Sequence, residues 1–379
     1  MNSKIWLSSP HMGGHEQAFV QQAFDENWVA PLGPNVNGFE EDLKSYLGNE
    51  KQVSALSSGT AAIHLALIML GVKNGDFVIC QSMTFSASAN PILYQGANPV
   101  FVDSETKTWN ICPTDLIKAI EGTIKKHGVK PKAIVAVHLY GMPYLAEEIN
   151  AISEKYDIPV VEDSAEALGS SYKGQKCGTL SKHGILSFNG NKIITTSGGG
   201  ALISNTEEEK KKSVFFATQS KDPATHYQHS EIGYNYRMSN ISAGIGRGQM
   251  MILDKHINLR RANFGFYKEN LGHLRGFEFV DEPEGIYSNR WLSTVLIHAK
   301  EAGFSREDLR LALEEENIET RPLWKPMHMQ PIFENCDYYG TNVAEDLFEI
   351  GLCLPSSSNL SDDDRERILK AILKIVENH

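Results

Sequence analysis

Nowhere in the 379 residues is there a run of about 18 apolar side chains, so no membrane-spanning helix is expected. The segment Met1–Pro10 lacks the basic residues followed by a long apolar stretch that mark a secretory leader. The five cysteines, Cys80, Cys112, Cys177, Cys336 and Cys353, form no CxxC pair and show no metal-ligand spacing. Neither a zinc site nor a disulfide framework is therefore expected, no metal is assigned, and a reducing cytoplasm is the expected setting. Positive charge is also short: 36 Lys and Arg stand against 47 Asp and Glu, a formal net charge of -11. That balance argues against a broad basic surface for nucleic acid, while a local pocket for a phosphate stays open.

What is present is ample core material, 41% hydrophobic, with no internal repeat or low-complexity segment. From about residue 55 to 205, short β-rich runs (Phe77–Cys80, Pro99–Val102, Ala133–His138, Pro159–Glu162) alternate with helical patterns (Ala61–Leu70, Thr114–Lys126, Ala146–Tyr156). This alternation predicts an α/β fold, a mostly parallel sheet between helices joined by right-handed crossovers. A helical stretch from Gly244 to roughly Asn270 precedes a change of character. Beyond it, a strand over Trp291–His298, a helix over Ser305–Glu316 capped by Ser305, and a final helix over Asp362–Glu377 suggest a smaller α+β unit. The reading is a large domain over 1–255 and a small C-terminal domain over 256–379.

Three segments carry chemistry. Ser187 to Gly200 sets Asn189 and Lys192 among Gly, Ser and Thr, residues small enough for the backbone to approach a phosphate-bearing group. Val160 to Ala165 ends an apolar strand on Glu162 and Asp163, the end of an open α/β sheet where ligands bind. A plain alternative for Asp163 is a helix cap, with Glu166 completing a capping box. Ser57 to Ala62 is a small-residue turn entering an apolar helix, whose N–H groups make a phosphate cup with the hydroxyls of Ser58 and Thr60. A lysine that bonds pyridoxal phosphate and an acid that keeps its pyridine nitrogen protonated are the two groups this cofactor requires.

The ordered set Ser58-Gly59-Thr60-Ala61-Ala62, Thr84-Phe85, Glu162-Asp163-Ser164-Ala165-Glu166, Ser187 to Lys192 and Gly233-Tyr234-Asn235-Tyr236-Arg237-Met238 resembles the DegT/StrS family of sugar aminotransferases. The resemblance extends over nearly the whole chain, from Trp28–Pro34 to Arg321–His328. It implies the fold-type I aminotransferase architecture, with a mostly parallel seven-stranded sheet in the large domain, and a homodimer with shared active sites. It makes Lys192 the lysine that bonds pyridoxal 5'-phosphate and Asp163 the partner of the pyridine nitrogen. Gly59, Thr60 and Ser187 would hold the phosphate, with Ser58 and Asn189 nearby, Phe85 would stack on the ring, and Glu166 would lie beside the cofactor. Many relatives carry Gln at the Glu166 position. Asn235 would reach the partner subunit's cofactor, and Pro31, Leu32, Gly33, Arg237, Arg321 and His328 are candidate substrate contacts. His138 reads as a hydrogen-bonded structural histidine.

Within the family, the string from Asn189 to Gly200 looks most like enzymes that aminate C4 of UDP-linked 4-keto-6-deoxy-N-acetylglucosamine, with glutamate as donor, for surface glycans such as lipopolysaccharide. A C3-aminating or dTDP-sugar enzyme is the alternative. A dehydratase on this scaffold would carry histidine in place of Lys192, and a non-catalytic scaffold protein would have no need of Lys192 with Asp163.

Overall fold

The computed structural model describes residues 3–378. Its main sheet is built from β1 (Gln52–Leu56), β2 (Phe77–Gln81), β3 (Asn98–Val102), β4 (Ala133–Val137), β5 (Val160–Asp163), β6 (His183–Ser187), β7 (Gly200–Ser204) and β8 (Asp337–Tyr339). The spatial order is β1-β7-β6-β5-β4-β2-β3-β8. Only β7 opposes the common direction, pairing antiparallel with both β1 and β6. Seven strands come from residues 52–204, as the resemblance implies; β8 adds an eighth, pairing parallel with β3.

Both faces of this sheet are covered, which is why its strands are continuous apolar runs. Val78, Cys80, Phe101, Ala133 and Val135 pack with the helix Gly59–Met69 on one face. Their sequence neighbours Ile79, Val100, Val102, Ile134 and Ala136 pack with the helices Pro113–His127 and Ala146–Tyr156 on the other. The period of two along each strand thus divides one apolar run between two cores.

Beyond the main sheet, Phe277–Glu278, Ser293–Ile297, Gly351–Leu354 and Arg321–Pro322 form an antiparallel four-stranded sheet. The helices Leu253–Leu271, Arg306–Glu315 and Asp362–Val376 enclose its core. Ser305 caps its helix by accepting from the Asp308 N–H. Ile5 bridges to Ile318, so the N-terminal segment packs here as well. The expected helical stretch after Gly244 is two helices, Asn240–Met250 and Leu253–Leu271, and the latter spans residue 255. The strand expected from Trp291 starts at Ser293, because the Trp291 N–H donates to Asn289 Oδ1 instead of to a strand. Among the described residues, no helix is long and apolar enough to cross a membrane.

Candidate active site

Sheet direction alone gathers the three chemical segments. Asp163 ends β5 and Ser187 ends its parallel neighbour β6, so both side chains emerge at the same edge of the sheet. Leu56 at the end of β1 faces Gly200 at the start of β7, which brings Ser58 and Gly59 to that edge too. Lys192 lies in the connection between β6 and β7. The segments close on one another so tightly that a Cβ on Gly200 would stand 2.3 Å from Gly59 N and from Ser58 C. A Cβ on Gly59 would stand 3.0 Å from that of Ser187. Ser58 Oγ accepts from Ala61 N at 3.0 Å, a cap that fixes the start of the helix Gly59–Met69 and leaves its first turn at a cavity.

That cavity, about 310 Å³, is lined by Ser58, Gly59, Thr60, Phe85, Asp163, Glu166, Ser187, Asn189 and Lys192 together. Asp163 does not cap a helix. Its Oδ1 accepts from Ala165 N at 3.1 Å within a turn, and its Oδ2 accepts from Ser88 Oγ at 2.6 Å. Thr84 Oγ1 lies 2.8 Å from Ser88 Oγ and orients that hydroxyl. The acid is thus aimed by a buried relay, and among the described residues no cation is bonded to it.

Glu166 sits 3.6 Å from the Lys192 ammonium through Oε1 and accepts from Tyr140 N at 2.6 Å through Oε2. Burial pushes its carboxyl above the usual range, with the nearby Lys192 charge opposing that rise. Tyr140 adopts a left-handed backbone, φ 55°, to aim that N–H, and its hydroxyl accepts from Trp324 N at 2.8 Å. The Lys192 ammonium lies 4.1 Å from the Trp291 ring centroid, over an indole that is 1% exposed. Trp291 and Trp324 both line the cavity.

The remaining predicted residues lie outside it. Arg237 pairs with Glu40 and donates to Ala55 O at 2.9 Å. His328 bridges Ser82 Oγ, 2.7 Å from Nδ1, and Glu345, 3.1 Å from Nε2, while stacked on Tyr338. Pro31, Leu32 and Gly33 form an exposed turn before the helix Pro34–Tyr46, except that Gly33 itself is buried. Asn235 is exposed and bridges to Thr218. Arg321 pairs with Glu319 and lines a groove that shares Asn191, Trp291 and Trp324 with the cavity. His138 is buried between Glu162, 2.8 Å from Nε2, and the ring of Tyr144. Sequence reasoning missed Ser88, Tyr140 and Trp291. Ser88 lies only three residues beyond the recognised Thr84-Phe85 pair, which is a usable signal; Trp291 has none, since its approach to Lys192 is wholly non-local.

The donors and acceptors fit pyridoxal phosphate. An amine, a buried carboxylate and a glycine-lined helix start face one cavity, and the glycine cradle is one that a Cβ would fill.

The sequence profile described as the DegT/DnrJ/EryC1/StrS aminotransferase family matches residues 10–373. EpsN of Bacillus subtilis (strain 168), whose name describes a pyridoxal phosphate-dependent aminotransferase, is 52% identical over 379 residues, covering 99% of this chain and 96% of that protein. GDP-perosamine synthase of Escherichia coli O157:H7 is 36% identical over 368 residues, 97% of each chain. The sugar aminotransferase Spr1654 of Streptococcus pneumoniae, solved in its PLP form, superposes with a TM-score of 0.89 at 26% identity, covering 99% of each chain. With cavity, cofactor fit and near full-length similarity in agreement, the chain belongs to the DegT/DnrJ/EryC1/StrS aminotransferase family and is a pyridoxal phosphate-dependent sugar aminotransferase.

Proposed function

We propose that the protein transfers the amino group of glutamate to the C4 keto group of a nucleotide-linked 4-keto-6-deoxy sugar, with UDP-4-keto-6-deoxy-N-acetylglucosamine as the first candidate, in surface glycan synthesis. The observation that carries the chemistry is the convergence of Lys192, Glu166 and Asp163 on one cavity. Bound pyridoxal phosphate supplies an electron sink for the amino-acid α-carbon. Asp163, held by Ser88 and the Ala165 N–H, keeps a proton on the pyridine nitrogen. The helix start at Gly59 and Thr60, with Ser187, holds the phosphate. Lys192, once its amine is free, would move the proton from the donor's α-carbon to the cofactor's reactive carbon, and in the second stage would move a proton from that carbon to C4 of the sugar. Trp291, buried beneath the Lys192 ammonium, would keep water from that side of the amine.

Sugar preference rests on the segment Asn189–Gly200, which looks most like that of UDP-sugar enzymes. The similarity to a GDP-perosamine synthase favours a GDP-linked sugar as the second reading. Asn235, exposed on this chain, suits a contact to the partner's cofactor in a homodimer. Purified protein with pyridoxal phosphate and glutamate is incubated with the UDP-linked or a GDP-linked 4-keto-6-deoxy sugar, and 2-oxoglutarate and the amino-sugar nucleotide are followed by mass. Amination of the UDP sugar is the expected result. Turnover of the GDP sugar alone moves the assignment to the second reading, and no response to glutamate removes the donor assignment.

A further inference from the structure

Arg260 is buried, 1% exposed; among the described residues no carboxylate pairs with it, and its Nε has no hydrogen-bond partner. Burying an unpaired guanidinium is costly, so carbonyl dipoles must compensate it. Two of the three oxygens it meets belong to residues that line the cavity: Nη1 donates to Trp291 O at 2.6 Å, and Nη2 donates to Lys192 O at 3.5 Å, as well as to Ser8 Oγ at 3.1 Å. Ser8 Oγ in turn donates to Asn191 O at 2.7 Å, and Trp291 Nε1 donates to the same oxygen at 2.7 Å. One turn before Arg260 on the helix Leu253–Leu271, His256 Nδ1 lies 3.3 Å from Ile193 O. Three consecutive carbonyls, of Asn191, Lys192 and Ile193, are therefore each held by a side chain from a distant part of the chain. Arg260 joins the two halves of the arrangement, because it grips both the residue that carries the amine and the indole on which the amine rests. Burial draws its guanidinium down to about 9, which still leaves it charged at neutral pH.

We infer that Arg260 is a positioning residue for the reaction: by holding Lys192 O and Trp291 O together, it keeps the lysine amine against the Trp291 face and in reach of the substrate's α-carbon. The inference rests on Lys192 being the cofactor-bonded amine. It differs from a plain core role because a misplaced amine slows proton transfer and cofactor attachment without weakening substrate binding.

The test uses full-length protein loaded with pyridoxal phosphate, read by its visible absorbance band. Loss of the band in Lys192→Ala establishes the amine; a retained band sinks the site assignment itself, separately from the Arg260 claim. In Arg260→Met, the band forms, but its appearance on cofactor addition and its conversion by glutamate in single turnover each slow by about ten-fold or more. Half-saturating glutamate stays within about three-fold of the parent. A thermal midpoint measured alongside separates folding from function: a lowered midpoint with unchanged rates per bound cofactor overturns the inference. Where Arg260→Met fails to fold, Arg260→Lys decides, since it keeps the positive charge but has no two-armed guanidinium to bond Trp291 O and Lys192 O together. That variant is expected to slow both rates several-fold, and unchanged rates overturn the inference as well.

Discussion

Ser88 Oγ donates to Asp163 Oδ2 at 2.6 Å, so the acid assigned to the pyridine nitrogen is oriented by a hydroxyl and not by a cation. The distinction matters for catalysis. A carboxylate paired to Arg or Lys would have its charge spent, whereas one held by hydroxyl and amide donors keeps it for a protonated ring. Asp163→Ala is expected to fold, to retain cofactor, and to lose activity by about three orders of magnitude. Ser88→Ala removes only the orienting bond and is expected to lower kcat about ten-fold. Steady-state kinetics of the two variants check the pair, and near-parental turnover in Asp163→Ala would remove that residue from its role.

Glu166 leads to a pH signature in the cofactor-free protein. Burial raises its carboxyl above the ordinary value of 4.5, so the folded chain keeps a proton that the unfolded chain has already released. Folded protein then binds more protons than unfolded, and this residue's contribution to stability declines as pH climbs from 4.5 through the raised value. Glu166→Gln, neutral throughout, should flatten that decline. Urea midpoints measured across a pH series check it; a variant curve parallel to the parental one would mean that Glu166 does not titrate in this window.

Gly200 tests the cradle. A methyl group there would meet the backbone of Ser58 and Gly59 at 2.3 Å, and backbone cannot yield as a flexible side chain can. Gly200→Ala should push the helix start away from Ser187 and weaken cofactor affinity by about ten-fold or more, alongside a stability loss of about 1 to 3 kcal/mol. Equilibrium titration with pyridoxal phosphate reads the first, chemical denaturation the second. Unchanged affinity in folded protein would place the phosphate elsewhere.

Much of this molecule was legible in its residue order. The helix Ala146–Tyr156 forms over the span its pattern marks, and Ser305 caps the helix it precedes, because periodicity and capping act within one or two turns of chain. Asp163 and Ser187 meet because parallel strands with helical crossovers must present their C-terminal ends at one edge, a consequence of topology that alternation already implies. Other outcomes needed the third dimension. Asp163 had two local readings, helix cap or strand end, and the packing of β5 between β4 and β6 decided for the strand. Arg237 and His328 are polar residues in the right motifs, yet their side chains are taken up by Glu40, 197 residues away, and by Ser82, 246 residues away, with Glu345, 17 residues away. Trp291, Arg260 and Ser8 carry no motif at all. Fold class, family and the chemical groups at the sheet edge follow from residue order, since each is written in short-range pattern. Which indole receives the Lys192 amine and which buried guanidinium bonds its loop is set by packing instead, because those contacts join segments that share no local signal and exist only once the chain has folded.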